Sequence, residues 1–261
     1  MSERYDKNSV PEGGFKPMKD EVWKKRVKKL HDLRAEYLKM PADELVKLVK
    51  LVPGNIKTGG SYYTVSLIPV VDCVAECAKT CARWCYDIQS DIITLGAARL
   101  RAINSAMHKI APHLYWERIT DLCKAQFVDH LRINVGGDIT PLDVYLIVDM
   151  AKKLKGTIIH VFTKNYGAVN TYLFCKKKTA FPKNMKVIFS RWPGMKCENP
   201  YGIPECHVDF GDGKCEAPEG SELCGGNCTA CAFNHTGCHG LKKGEAVVIK
   251  YHCNIAFRIQ K

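Results

Sequence analysis

Alternation of strand-like and helix-like segments is the sequence feature that most constrains this fold. Short runs rich in apolar and β-branched residues predict strands at 62–69, 130–135, 157–163, 186–190 and 245–251. Helical periodicity fills the intervals, at 88–110, 112–124, 141–154 and 169–177. Strands and helices in this order form a parallel sheet with right-handed crossovers. We therefore expect an α/β fold built as a partial parallel α/β barrel.

Two further regions flank this α/β core. Residues 1–55 are expected to form a basic helical appendage, with helices at 19–40 and 42–52, and residues 56–190 to form the core. Residues 191–261 are expected to form a cysteine-rich subdomain with a closing strand. Its segment 191–240 is rich in Gly, Pro and Cys and lacks periodicity, so we expect it to be irregular. Such a segment cannot bury a core alone, so we expect it to be stabilised by a cross-link or a bound metal, or to be retained for a function.

The cysteine content points to metal or redox chemistry. The chain has 14 cysteines, and its first residues are polar rather than signal-peptide-like. No apolar run approaches the roughly 18–20 residues of a membrane span, so we expect no membrane partner and a cytoplasmic protein. Disulfides seldom persist in the cytosol, and clustered cysteines there favour metal sites.

The first cluster of cysteines occupies the stretch DCVAECAKTCARWCYD, with Cys73, Cys77, Cys81 and Cys85 four residues apart. In a straight helix Cys73 and Cys85 would be about 18 Å apart, too far for one cluster. We therefore expect a loop here, directly after a strand, where parallel α/β folds build their sites. Cys81 and Cys85 are the first candidate ligands and Cys73 the next, while Cys77 is the doubtful member.

The second cluster is CGGNCTACAFNHTGC, whose nearly continuous spacing favours an iron–sulfur cluster over zinc, although zinc stays open. Its expected ligands are Cys224, Cys228, Cys231 and Cys238. Three further cysteines lie between the two clusters: Cys197, Cys206 and Cys215. They are also candidate ligands, which would complete one of the two sites or form a further one. Histidines 207, 235 and 239 could replace one ligand. Cys123, Cys175 and Cys253 are isolated in sequence, and each is expected to be a small apolar residue of the core rather than a ligand.

The order of features resembles radical S-adenosylmethionine enzymes, which have a partial α/β barrel and a three-cysteine loop after the first strand. The motif NVGGDITP ends the second expected core strand, and FTKN ends the third. The resemblance implies cofactor-binding roles for Gly136, Gly137 and Asp138, and for Thr163 and Asn165. The cysteine spacing differs from that superfamily's usual C-x3-C-x2-C loop.

A closer resemblance is to the phage and plasmid "gene product 88" family, over roughly residues 54–252. The segments SLIPVVDC, CARWCY, RINVGGDITP, HVFTKN, KNMKVIFSRWPGM, CGGNCTAC and VVIKYH occur in this order. The resemblance implies a phage-related origin, and hence the host cytoplasm, but no defined activity.

These observations together predict an iron–sulfur protein with two or more clusters, of the [4Fe–4S] type, and a redox role with an electron donor or acceptor protein. One alternative is a radical S-adenosylmethionine enzyme, which would bind that cofactor at an open iron. Another is a zinc or iron–sulfur module that binds nucleic acid through the basic segment 16–50, which contains KKRVKK; the formal charge of the chain is +12. Whether the protein is an enzyme is left open.

Overall fold

Eight strands form one sheet in the computed structural model, which describes residues 17–54, 62–85, 87–88, 95–177 and 180–251. The strands are β1 (Val52–Pro53), β2 (Tyr62–Val65), β3 (His130–Ile133), β4 (Ile158–Thr163), β5 (Met185–Ser190), β6 (Glu205–Asp209), β7 (Glu222–Leu223) and β8 (Ala246–Lys250). Their order across the sheet is β1-β2-β3-β4-β5-β6-β8-β7.

The central pairings are parallel, as the alternation of strands and helices predicts. Each neighbouring pair from β2 to β8 in this order is parallel, and so is the pairing of β7 with β8. Only the short β1 pairs antiparallel, with β2. The fold is therefore mixed α/β, and the sheet is open over the described strands rather than closed into a barrel.

Eight α-helices accompany the described part of the sheet. They are α1 (Asp20–Tyr37), α2 (Ala42–Leu48), α3 (Glu76–Lys79), α4 (Leu95–Ile110), α5 (Pro112–Ala125), α6 (Pro141–Lys153), α7 (Tyr166–Cys175) and α8 (Cys228–Asn234). The segments expected from periodicity agree with this order, although α2 ends earlier than predicted and Val52 and Pro53 join the sheet. The beginning of the helix expected at 88–110 lies partly outside the described residues.

Helices α2, α4, α5, α6 and α7 cover one face of the sheet and bury its largest core. Leu131, Val161 and Val187, from three neighbouring strands, belong to this core together with side chains of α5, α6 and α7. The N-terminus of α6 is fixed by a capping box in which Thr140 and Asp143 bond each other's backbone N–H groups. Trp116 Nε1 also donates to Asp143 at 2.6 Å, which ties α5 to α6. We call this side the helix-covered face.

The expectation of an irregular segment at 191–240 is wrong in three places. Strands β6 and β7 and helix α8 all lie within it. Each element is short, from two to seven residues, so the periodic signal on which the prediction relied is weak. As a result Cys206 lies on a buried strand rather than in a loop.

The basic N-terminal segment packs against the α/β core. Helix α1 lies along α4, and its Trp23 is buried with Ala82 and Ile88 beside the first cysteine stretch. Buried Arg34 donates to Asp72 Oδ1 at 3.1 Å and to Ser105 Oγ at 3.2 Å. The segment expected to be an appendage thus contributes directly to the support of the cysteine stretch.

None of the helices that the structure describes combines the length and the apolar character needed to cross a membrane.

Candidate functional site

The segment from Leu67 to Cys85 forms a winding loop at the carboxyl ends of β2 and β3. Leu67 N donates to Gly136 O at 2.9 Å, and Asp138 N donates to Asp72 O at 2.8 Å. These two hydrogen bonds hold the loop against the segment that follows β3. The chain then makes the single turn α3 and a 3-10 turn at Ala82–Trp84, with a break at Thr80 and Cys81. This path agrees with the predicted loop and excludes one straight helix.

The loop brings its thiols together, and Cys77 lies between two others. The buried Cys77 thiol is in hydrogen-bonding reach of the thiols of Cys73 and Cys81, and these contacts, with burial, raise its pKa. Cys77 is thus central to the group, although the spacing made it the doubtful member. We call Cys73, Cys77, Cys81 and Cys85 the loop group.

A lysine supplies positive charge to the loop group. The hydrogen bond from Cys77 lowers the pKa of Cys81, and the ammonium of Lys164 lowers it further. Burial alone would lower the pKa of Lys164, but the negative charges of Cys81, Cys77 and Asp138 outweigh burial and raise it. Lys164 is therefore a cation beside the Cys81 thiol at this edge of the sheet. Lys164 lies inside the FTKN motif, in which the sequence predicts cofactor-binding roles for Thr163 and Asn165 but not for Lys164.

Cys85 differs from its neighbours because it faces an acid. Burial raises the pKa of Cys85, and Asp87 raises it further. Asp87 is itself paired with Arg101 Nη2 at 2.5 Å, while burial raises the pKa of this carboxyl. Cys85 also interacts electrostatically with Cys73 and Cys81, which keeps it within the loop group.

Gly136 and Gly137 are needed for packing within the chain. A Cβ on Gly136 would lie 1.9 Å from Asp87 Oδ2. Gly137 has φ +78°, and a Cβ there would lie 2.6 Å from Leu67 Cβ. The close approach that glycine permits is therefore to the strand-to-loop segment of this chain, and the expected approach of a ligand stays a prediction.

Asp138 holds the ends of β3 and β4 together. Its carboxylate accepts from Thr163 Oγ1 at 2.5 Å and from the backbone N–H groups of Ile139 and Lys164, each at 2.8 Å. Asn165 donates to Ile139 O at 2.9 Å and caps α7 through the N–H of Ala168 at 3.2 Å. The predicted cofactor-binding residues thus form one connected network beside the loop group.

A cavity of about 480 Å³ opens on this network from the side of α1 and α4. Its lining includes Arg34, Asp72, Cys73, His108 and Asp138. Both the loop group and the Asp138 network therefore border open space.

The second group of cysteines covers the opposite face of the sheet. Cys206 on β6 is buried with Ile188 and Val247, and Cys224 and Cys238 pack against this cluster. Cys238 interacts electrostatically with Cys206, Cys224 and Cys228, and burial raises its pKa. The remaining member, Cys231, approaches Gly237, where a Cβ would lie 3.2 Å from its Sγ. The C-terminal group therefore comprises Cys206, Cys224, Cys228, Cys231 and Cys238.

Aromatic and histidine side chains lie beneath the C-terminal group. Tyr62 hydroxyl bonds His239 Nε2, and the rings of Tyr62 and His130 stack at 4.6 Å. The His160 and His239 ring centroids are 4.2 Å apart. Burial lowers the pKa of His239 to about 4 and that of His160 well below its usual value, so both are neutral at pH 7. Tyr62, His130 and His160, like Arg132 near Cys206 and Cys238, carry no motif signal, since the parallel register brings them together. His239, in contrast, is one of the histidines that the sequence named as a possible ligand.

The other predicted residues take separate positions. Cys197 interacts with Arg191, and burial raises its pKa. Cys215 is partly buried in the turn after β6. Cys123 is buried in the core of the helix-covered face, as expected. The same expectation is wrong for Cys175, which is exposed at the end of α7, and Cys253 lies outside the described residues. His207 bonds Glu205 at 3.0 Å, and His235 is exposed at the end of α8.

The donor atoms of both groups suit soft metal ions, which thiolates prefer. Among the described residues, no three His, Cys, Asp or Glu side chains already stand in an arrangement that could hold a metal ion. Their contacts nevertheless make ionisation of the crowded thiols costly, since burial and neighbouring thiols raise the pKa of Cys77, Cys85, Cys206 and Cys238. A cationic core would offset this cost, so the donors match a thiolate-bound metal group in chemical type, although the described residues are not arranged as a finished site.

Fold and site together define a mixed α/β protein with cysteine groups at the carboxyl ends of its parallel strands and on one face of its sheet. The sequence model of the gene product 88 family matches residues 35–197, which is more than half of the chain. The chain belongs to this family. No curated protein and no solved structure matches it. The matched residues include the loop group and the Asp138 network but end before the C-terminal group.

Proposed function

We propose that this protein binds at least two iron–sulfur clusters, one at the loop group and one at the C-terminal group, and that it serves a redox or electron-transfer role. An iron–sulfur cluster supplies one-electron transfer when bound. The cytoplasm of a phage host and an electron donor or acceptor protein as partner belong to the same proposal.

The observation that carries the proposal is the contact of Cys77 with both Cys73 and Cys81, beside the ammonium of Lys164. Cys77 and its two thiol neighbours would repel one another once ionised, and a metal core would compensate this repulsion. Lys164 contributes in the same direction, because its positive charge stabilises the thiolate of Cys81. A cluster with a lysine close by is also easier to reduce, since the added electron is attracted to the ammonium.

The first cluster is proposed to be closed, with four protein thiolates. Cys77 contacts two other thiols, and Cys85 interacts with Cys73 and Cys81, so four donors are at hand without Cys197 or Cys215. The alternative of a radical S-adenosylmethionine enzyme needs an open iron and a free acid at the strand end. It has less support, because Asp138 is satisfied by Thr163 and by two backbone N–H groups.

The test is anaerobic purification followed by iron and sulfide analysis and an electron paramagnetic resonance spectrum of the reduced protein. We expect about eight irons for each chain if both clusters are [4Fe–4S]. The Cys77→Ala,Cys81→Ala variant should lose about half of this iron. A matched control is Cys175→Ser, which removes an exposed thiol outside both groups. Colourless protein with zinc in place of iron would reject the proposal and support the zinc alternative.

Addition of S-adenosylmethionine to the reduced protein separates the closed cluster from the open one. An unchanged spectrum is expected for four thiolates, and a clear shift of the g-values would favour the enzyme. Asp138→Asn is a better probe here than any substitution of Gly137, because a side chain at Gly137 would collide with Leu67 whether or not a ligand binds.

A further inference from the structure

A second cavity, of about 530 Å³, lies beside the loop group on the side of β5 and β6. Its lining combines residues of the loop group segment, including Lys79, Thr80 and Trp84, with residues that follow β5 and β6, including Trp192 and Phe210. The volume is within the range of small-molecule sites, roughly 300–1,000 Å³. Its position at the carboxyl ends of parallel strands is where open α/β sheets bind ligands.

Three aromatic side chains shape this cavity. The Phe210 ring centroid is 5.0 Å from that of Trp84 and 5.4 Å from that of Trp192, so the two indoles flank one phenyl ring. Tyr251 supports them from below, with ring centroids 4.9 Å from Phe210 and 5.7 Å from Trp84. All three lining aromatics stay partly exposed although they pack on one another. Such a wall is suited to stacking with a planar ring.

The rim of the cavity is mainly positive. Lys79 and Lys214 line it and are exposed, and neither forms an ion pair with another residue in the described ranges. Lys164 Nζ lies 5.9 Å from the Trp192 ring centroid. Asp212 is the one acid in the described lining, and its Oδ1 accepts the backbone N–H of Lys214 at 3.1 Å. A ligand that combines a planar ring with a negative group fits both the wall and the rim.

We propose that this cavity binds a nucleotide, with its base in contact with the aromatic side chains of Trp84, Trp192 and Phe210 and its phosphate held by Lys79 and Lys214. The nucleotide is either a free nucleoside phosphate or one residue of a single strand, since both offer the same base and phosphate. The site is separate from helix α1, whose exposed lysines are not part of this lining and whose tryptophan, Trp23, is buried.

The experiment measures binding of AMP, ATP and a short oligodeoxythymidine strand to the full chain by isothermal titration calorimetry. Trp192→Leu removes a stacking face and should weaken binding roughly tenfold or more, whereas Trp192→Phe keeps a ring and should retain most of the affinity. Lys79→Gln,Lys214→Gln should also weaken binding and make it less dependent on salt. The matched control is Lys242→Gln,Lys243→Gln, which removes two exposed lysines from outside the cavity lining.

Tight binding of AMP or ATP would identify a free nucleotide as the ligand, and tight binding of the oligonucleotide alone would identify a strand. Absence of binding by all three probes would overturn the proposal, and so would binding that Lys242→Gln,Lys243→Gln weakens as much as the cavity variants do. The iron content of each variant is measured in parallel. Nucleotide binding without iron would contradict only the iron–sulfur function, and iron without nucleotide binding would contradict only this site.

Discussion

The two cysteine groups are assembled in different ways. The loop group comes from 13 consecutive residues at the carboxyl ends of the strands, where Arg34, Asp138 and Lys164 surround it with charges and hydrogen bonds. The C-terminal group joins Cys206 from a strand to four cysteines of a later segment, and it rests on apolar and histidine side chains. One group is thus local and polar in its surroundings, and the other is long-range and largely apolar.

This difference indicates how each region depends on its ligands. The loop group is supported by hydrogen bonds to β3 and by α1, so its segment has contacts that do not involve thiols. The C-terminal segment buries few apolar side chains of its own. The hydrophobic cluster that it packs against includes two of its cysteines, Cys224 and Cys238. We therefore expect the C-terminal segment to depend more on bound metal than the loop does.

Removal of two C-terminal cysteines should have the largest effect. Cys228→Ala,Cys231→Ala is expected to abolish one cluster, halving the iron for each chain, and to make residues 206–241 sensitive to protease. Iron analysis and limited proteolysis of anaerobic samples measure the two effects. Cys77→Ala,Cys81→Ala serves as the comparison, and it should lose as much iron with less proteolysis. Equal protease sensitivity in both variants would contradict the stronger dependence of the C-terminal segment on bound metal.

Loss of the buried ion pair behind the loop group should come next. Arg34→Met leaves the partly buried carboxylate of Asp72 without its cation, and we expect a loss of about 3 kcal/mol in the free energy of unfolding. Chemical denaturation of the purified protein measures this change. Lys28→Met is the control on the same helix, because its exposed pair with Asp32 should be worth less than about 1 kcal/mol. A similar small effect for Arg34→Met would show that the pair does not tie α1 to the loop.

Replacement of Cys206 sharpens the definition of the C-terminal group. Cys206→Ala should alter the spectrum of the second cluster, because Cys206 interacts with Cys224 and Cys238. Cys215→Ala should leave the spectrum unchanged, since Cys215 is in the turn that follows β6. Electron paramagnetic resonance of the two reduced variants gives the comparison. The reverse result would exclude Cys206 from the ligand set.

The smallest expected effect concerns the basic surface of α1. Replacement of Lys24, Lys25, Lys28 and Lys29 by Gln should weaken binding of DNA and RNA at low salt severalfold, because these four lysines are exposed along one helix. Arg26 is left in place, since its Nη1 contacts Met18 Sδ at 3.3 Å and its loss would disturb packing. Fluorescence anisotropy with labelled strands measures the change. Unaltered affinity would leave α1 with a purely structural role.

The contrast between the groups also explains which parts of the site could be predicted. The spacing of Cys73, Cys77, Cys81 and Cys85 rules out a straight helix, and that argument needs only the rise per residue. Lys164 was missed although it lies within a recognised motif, because a lysine after a strand is normally solvated and its proximity to Cys81 depends on the pairing of β4 with β3. Cys77 was undervalued for a similar reason, since spacing does not reveal which thiol lies at the centre.

The sequence by itself determined the parallel α/β order, the end of a strand before Gly136 and Gly137, and the two groups of closely spaced cysteines. These features follow from local periodicity and spacing, which can be recognised within windows of fewer than about twenty residues. Only the tertiary structure decided that Cys206 joins the C-terminal group, that Tyr62, His130 and His160 meet beneath it, and that α1 supports the loop group. Such contacts arise from the register and order of strands distant in sequence, which is set by burial over the whole chain.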